Sequence, residues 1–174
     1  MLPKERILDK AFVLFHKQGY NATGINQIIE EAKVAKASFY QHFKSKEDLC
    51  VAFLNQRHEY WFNELENFTL NTEDPKLKIQ ASFDFLIYMN HKENFRGCSF
   101  LNLLSEIPSD NTKVLNVIQS HKSDLRNYFK NLIHNDLIAD HVYLLFESCL
   151  IESQLFKSNH LIEQSKKIIK TLIL

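Results

Sequence analysis

The chain has 174 residues, 45% hydrophobic and 24% charged, the balance of a globular protein with a core of useful size and not of a disordered or collagen-like chain. Three Gly and three Pro are too few for the many tight turns of an all-β fold, whereas fourteen Phe suit buried helix faces. The formal charge is zero, a sum that speaks against nucleic acid, but residues 1–49 carry eight Lys/Arg against six Asp/Glu, with Lys33, Lys36, Lys44 and Lys46 crowded around His42.

In chain order, Pro3 opens a first amphipathic helix over about 3–19, with Ile7, Leu8, Ala11, Phe12 and Phe15 on one stripe and Gly19 as the stop. A polar turn follows, where Thr23 is placed to cap a short second helix that runs to about residue 32 with Ile25, Ile28 and Ile29 inward. A third short helix is expected over 36–42. A fourth starts near Ser45, whose Ser-Lys-Glu-Asp run supplies a cap and acidic first-turn residues, and continues to about 68. Pro75 opens a fifth, over about 75–90. Further helices are expected over 98–107, 111–133, 137–157 and 160–172. The fold class is therefore all-α, with about nine helices, no internal repeat and no strand pattern.

Residues 23–43 have the arrangement of a helix-turn-helix. Two short helices meet at a tight connection around Lys33 and Val34, and Ile28, Ala32, Val34, Phe39 and Phe43 anchor their angle. The second of them presents Lys36, Ser38, Tyr40, Gln41 and His42 outward, on a helix narrow enough for the major groove. Lys can meet a phosphate or a guanine edge, Gln can bond adenine, and Lys46 lies at the positive start of the next helix, where a phosphate is favoured. Each residue also has a plainer use. A lysine cluster is the ordinary face of a solvated helix, Tyr40 can pack on the first helix, and His42 can close a helix end.

The stretch GYNATGINQIIEEAKVAKASFYQHFKSKEDL resembles the N-terminal signature of the TetR/AcrR family of bacterial transcriptional regulators. The matching positions are Gly19, Thr23, Ile28, Ala32 and Val34, then Phe39-Tyr40-x-His42-Phe43 and Ser45-Lys46-Glu47-x-Leu49. The resemblance implies an N-terminal helix-turn-helix domain (residues 1–48) and a larger helical effector-binding and dimerisation domain (49–174). It assigns Lys36, Ser38, Tyr40, Gln41 and His42 to the recognition helix, and Thr23 and Lys46 to backbone phosphates. Three positions depart from the pattern. Lys33 stands at a turn position usually held by Gly, and a positive φ there carries about 1–2 kcal/mol of strain. Ala35 replaces a small polar residue and Ala37 a Gly.

The same resemblance implies a homodimer built from the last two helices, whose apolar residues include Tyr143, Phe146, Leu150 and Phe156, and Leu161, Ile168 and Leu172. The alternative is that they complete a monomer core. An effector pocket is expected among Trp61, Phe62, Phe83, Tyr88, Cys98, Phe100, Leu104, Leu125 and Tyr128, each of which also suits plain core packing. Gly97-Cys98-Ser99-Phe100-Leu101-Asn102 is similar to a pattern in part of the family, where a cysteine in this region responds to oxidants or electrophiles. Cys98 is thus a candidate sensor or an inert buried thiol.

Cys50, Cys98 and Cys149 are odd in number and lack CxxC spacing, MLPKERILDK is no signal stretch, and no apolar run approaches a membrane span. A cytoplasmic chain with reduced thiols and no membrane is expected. The histidines lack metal-site spacing, and no GxSxG, Walker, HExxH or GxGxxG motif occurs, so neither metal, cofactor nor catalysis is expected. The function expected is a repressor released from palindromic double-stranded DNA by a small-molecule effector. Its rivals are an effector-independent regulator or architectural protein on the same fold, and an all-helical enzyme or carrier of an apolar ligand.

Overall fold

The computed structural model describes residues 1–173. Those residues form nine helices and no strand: α1 Pro3–Gln18, α2 Ile25–Ala32, α3 Lys36–His42, α4 Lys46–Thr69, α5 Pro75–Lys92, α6 Ser99–Leu104, α7 Thr112–Leu132, α8 Asp136–Phe156 and α9 His160–Leu172.

Local chemistry sets most of the boundaries. Pro75 follows Asp74, whose carboxylate accepts from the Leu77 amide at 3.0 Å, so α5 begins with its first donors satisfied. Asn111 and Asn135 do the same for α7 and α8, accepting from Val114 and Ile138 at 3.1 Å each, and Ser45 for α4, accepting from Asp48 at 3.0 Å. Helix α1 ends at Gly19 with φ 95°, a backbone angle open to glycine, and a Cβ there would lie 2.6 Å from the Glu106 carboxylate. The expected cap on α2 is corrected. Gly24 occupies the capping position, and Thr23 is fully buried with its hydroxyl donating to the Gly19 carbonyl at 2.7 Å.

The chain divides into two compact units. The first comprises Met1–Tyr60 and Ser99–Gln119, the second Trp61–Cys98 and the described residues from Ser120 on. The first unit packs Ile7, Ala11, Phe15, Ile28, Phe39, Phe43, Leu49 and Phe53 into one core, with Phe53 edge-on to Phe12 at 5.7 Å and to Phe15 at 5.4 Å. The second is built on a chain of rings: Phe83 and Phe129 each meet Phe146 at 5.2 Å, and Trp61 meets Phe85 at 5.2 Å. No helix among the described residues is long and apolar enough to cross a membrane.

Candidate nucleic-acid interface

The turn between α2 and α3 decides what α3 can present. Lys33 sits in the left-handed region (φ 52°, ψ 51°), its amide donating to Glu30 O and the Val34 amide to Ile29 O, so the last carbonyls of α2 are satisfied by a Schellman pair. A lysine stands where glycine is cheaper. Arg6 of α1 holds the strained residue from the other side, its guanidinium donating to the Lys33 carbonyl at 3.2 Å. Extended backbone at Ala35 then carries the chain into α3.

Helix α3 has seven residues, and its two faces are sharply different. Phe39 is fully buried, and Phe43, which follows the helix, is 4% exposed; these two rings fasten the helix to the first unit's core. Lys36, Ala37, Tyr40, Gln41 and His42 are exposed, Ser38 is half-buried, and Lys33, Ala35 and Lys44 add exposed positions at either end. Tyr40 sets its ring edge-on to Phe39 of the same helix at 5.3 Å while remaining 44% exposed. The polar face is thus uncovered within the chain and backed by aromatic core.

Lys46, at the start of α4, is half-buried with its ammonium 4.1 Å from the centre of the Tyr20 ring. Burial lowers its pKa, and the charges of Cys50 and Glu106 act in the opposite direction. Glu106, just beyond α6, accepts from the Asn21 amide at 2.6 Å, and its own carbonyl accepts from the Asn21 side chain at 3.0 Å. The turn before α2 is therefore pinned by a residue 85 positions away in sequence. Glu106, Arg6 and Tyr20 are supporting residues that spacing could not reveal, because their partners are distant or are backbone atoms. Thr23 is corrected in a second respect. Its hydroxyl and amide are both committed, to Gly19 O and Tyr20 O, so its side chain offers nothing to a phosphate.

The residues expected around an effector divide between the units. Phe100 and Leu104 belong to the first, where Phe100 is buried and Leu104 exposed. In the second, Trp61, Phe83 and Leu125 are buried core, Phe62 and Tyr128 are half-buried, and Tyr88 is exposed with its hydroxyl donating to Glu64 at 3.2 Å. Tyr128 is occupied by Ser82, oxygen to oxygen 2.8 Å. A groove of about 480 Å³ does open in this unit. It is lined by other residues, Ile79, Leu132, Ile133, Ile138, Leu172 and Ile173 with Asp74, Pro75, Lys76, His134 and Asn135 at its rim.

The expected dimer face on α8 is also corrected. Tyr143, Phe146 and Leu150 are buried within the protomer, while Leu137, Leu144, Ile151 and Leu155 are exposed, as is Phe156. Helix α8 is apolar nearly all round, so periodicity alone could not choose between its faces. On α9 Leu161, Ile168 and Leu172 are exposed, as expected of an uncovered stripe, and Ile162 and Ile169 face the core. Among the described residues no group of three or more His, Cys, Asp or Glu could hold a metal ion.

Residues 7–53 match the model of bacterial regulatory proteins of the tetR family. An uncharacterised helix-turn-helix transcriptional regulator of Lactococcus lactis is 32% identical over 126 residues, 71% of this chain and 64% of that protein, so the chain spans less than two thirds of that relative's length. The biofilm operon negative transcriptional regulator IcaR of Staphylococcus epidermidis is 25% identical over 138 residues, 78% of this chain and 67% of that one. A TetR-family transcriptional regulator from Streptomyces coelicolor superposes with a TM-score of 0.88 at 22% identity, covering 98% of this chain and 94% of the other, a likeness of fold. The chain thus carries the helix-turn-helix segment of the tetR family of bacterial regulatory proteins at residues 7–53, on a fold like that of a TetR-family regulator.

Proposed function

We propose that the protein is a DNA-binding transcriptional regulator that grips duplex DNA with α3. The observation that carries this reading is the uncovered polar face of α3, with Lys36, Tyr40, Gln41 and His42 exposed above the buried Phe39 and Phe43. Lys36, Gln41 and His42 reach base edges or phosphates, Tyr40 supplies a hydroxyl and Lys46 a cation for the adjoining backbone, while Ser38 contributes from the half-buried margin. Thr23 serves as a brace for the turn that holds this surface.

The working species is a homodimer. Leu137, Leu144, Ile151 and Leu155 recur along α8, and Leu161, Ile168 and Leu172 along α9, leaving apolar stripes that water solvates poorly and a second copy covers well. Two-fold symmetry then suits two half-sites of an inverted repeat, with two copies of α3 about 34–36 Å apart. Repression is the favoured sense of regulation, in line with the name of the staphylococcal relative. Release by a small molecule held in the second unit completes the reading, and such an effector must favour one state by roughly 1–3 kcal/mol.

The test is fluorescence anisotropy with random-sequence duplexes at low ionic strength, followed by compound screening. Saturable binding that weakens steeply with salt supports the reading, and no binding at any salt concentration removes it. A compound that raises the melting temperature and dissociates the complex supports effector control. Failure across a broad library favours a regulator without one.

A further inference from the structure

Glu106 lies along the whole turn between α1 and α2. A Cβ on Gly19 would stand 2.6 Å from one of its carboxylate oxygens, so only a bare glycine admits the carboxylate this closely. The Asn21 amide donates to the other oxygen at 2.6 Å, and the Asn21 side chain donates to the Glu106 carbonyl at 3.0 Å. Between Gly19 and Asn21 stands Tyr20, with the Lys46 ammonium 4.1 Å from the centre of its ring. One carboxylate and one ammonium thus share a turn of three residues. The other groups around Lys46 are accounted for. Asp48 accepts from Lys113 of α7, and Cys50, its thiol pushed up to about 12 by burial, is uncharged at neutral pH. Burial lowers the Lys46 pKa, and with Cys50 neutral it is the charge of Glu106 that opposes this.

The hydrogen bond and the charge of this one side chain act in opposite senses on DNA. The bond to the Asn21 amide fixes the turn and, through the Tyr20 ring, the place of the Lys46 cation. The negative charge competes with a phosphate for that same cation. We propose that Glu106 is a positioning residue of the DNA-binding surface, which holds Lys46 ready through the Gly19–Asn21 turn and serves as its opposing charge until a backbone phosphate takes over. This rests on the reading of Lys46 as a phosphate contact. The restraint falls on every duplex alike, because phosphates carry no sequence information. Glu106 touches no DNA in this scheme and acts only through the turn and the lysine.

Fluorescence anisotropy of the intact chain on one duplex at low salt, with Glu106→Gln and Glu106→Ala, separates the two actions. The glutamine oxygen still accepts from the Asn21 amide but carries no charge, so Glu106→Gln is expected to bind up to about fivefold tighter, the worth of one exposed ionic interaction. Glu106→Ala loses the charge-assisted hydrogen bond as well and is expected to bind roughly tenfold weaker. The gain from glutamine should vanish when Lys46 is also alanine. Hydrogen exchange of the Asn21 amide, read without DNA, should stay slow in Glu106→Gln and quicken in Glu106→Ala. Weakening by both variants, no change in either, or a gain that persists without Lys46 would each overturn the proposal while leaving the reading of α3 intact. A wild type that binds no duplex removes that reading, and this proposal with it.

Discussion

The Lys46 ammonium lies 4.1 Å from the centre of the Tyr20 ring, so the lysine at the start of α4 is aimed by the turn that precedes α2. Held in this way, its charge is fixed before DNA arrives. Lys46→Ala should weaken binding to all duplex sequences alike and lower the slope of log affinity against log salt by about 0.9 for the lost phosphate contact. Tyr20→Leu keeps the cation and frees it, so a smaller loss with an unchanged slope is expected. Salt titrations of the three proteins on one duplex distinguish these outcomes.

Lys36 and Gln41 lie on the exposed face of α3, where base edges are within reach of long side chains. Gln41→Ala or Lys36→Ala should therefore change preference among operators by roughly 1–3 kcal/mol per lost base contact, with little effect on melting temperature. Competition binding against single-base operator variants measures it. Uniform weakening across all variants would reassign both residues to the phosphates.

The exposed stripe of α8 lets the proposed association be tested apart from stability. Leu144→Glu together with Ile151→Glu places charge on the exposed stripe and should leave a folded monomer, seen by analytical ultracentrifugation with helical circular dichroism retained. Phe146→Ala instead empties the ring cluster shared with Phe83 and Phe129 and should cost about 3–5 kcal/mol in denaturant unfolding. If the double glutamate variant remains a dimer, the interface lies elsewhere.

Removing one partner of the Lys122–Glu147 pair leaves the other charge largely buried. Glu147→Leu should destabilise by about 3–5 kcal/mol, whereas Lys122→Met with Glu147→Leu should be near neutral. The lysine pKa is raised in the folded state, so its contribution is complete below the unfolded value, about 10.4, and fades only as pH climbs through the higher folded value. Denaturant midpoints of the wild type should accordingly show no effect of this lysine between roughly pH 6 and 9.

Lys33 is the one residue of the helix-turn-helix connection held at positive φ. Lys33→Gly removes that strain but gives the unfolded chain more freedom, and a net gain of up to about 1 kcal/mol is expected. A loss of stability would mean that the lysine side chain itself supports the turn.

The helices were legible because their punctuation is local. Pro3, Gly19, Ser45 and Pro75 mark observed ends, and α3 has its expected bounds, whereas α6 stops at Leu104, short of the expected 107. The exposed side of α3 was legible too, since Phe39 and Phe43 at four-residue spacing leave only one face for the polar residues. What spacing could not supply was any choice between two apolar faces. Helix α8 shows the point: Tyr143 and Leu144 are adjacent and both apolar, yet one is buried and the other is not. Thr23 failed for a related reason. A threonine before a helix is as able to bond backward, to Gly19, as forward into the first turn. Glu106 and Lys122 gained their roles from partners far along the chain, which no local pattern encodes.

Selection of bound duplexes from a random-sequence pool bears most directly on whether α3 reads DNA as a symmetric pair. Enrichment of an inverted repeat is expected, its half-sites about 10 base pairs apart or a multiple of that spacing, and lost when Lys36 and Gln41 are both alanine. A pool that stays random after repeated rounds at low salt, while the protein remains folded, would contradict it.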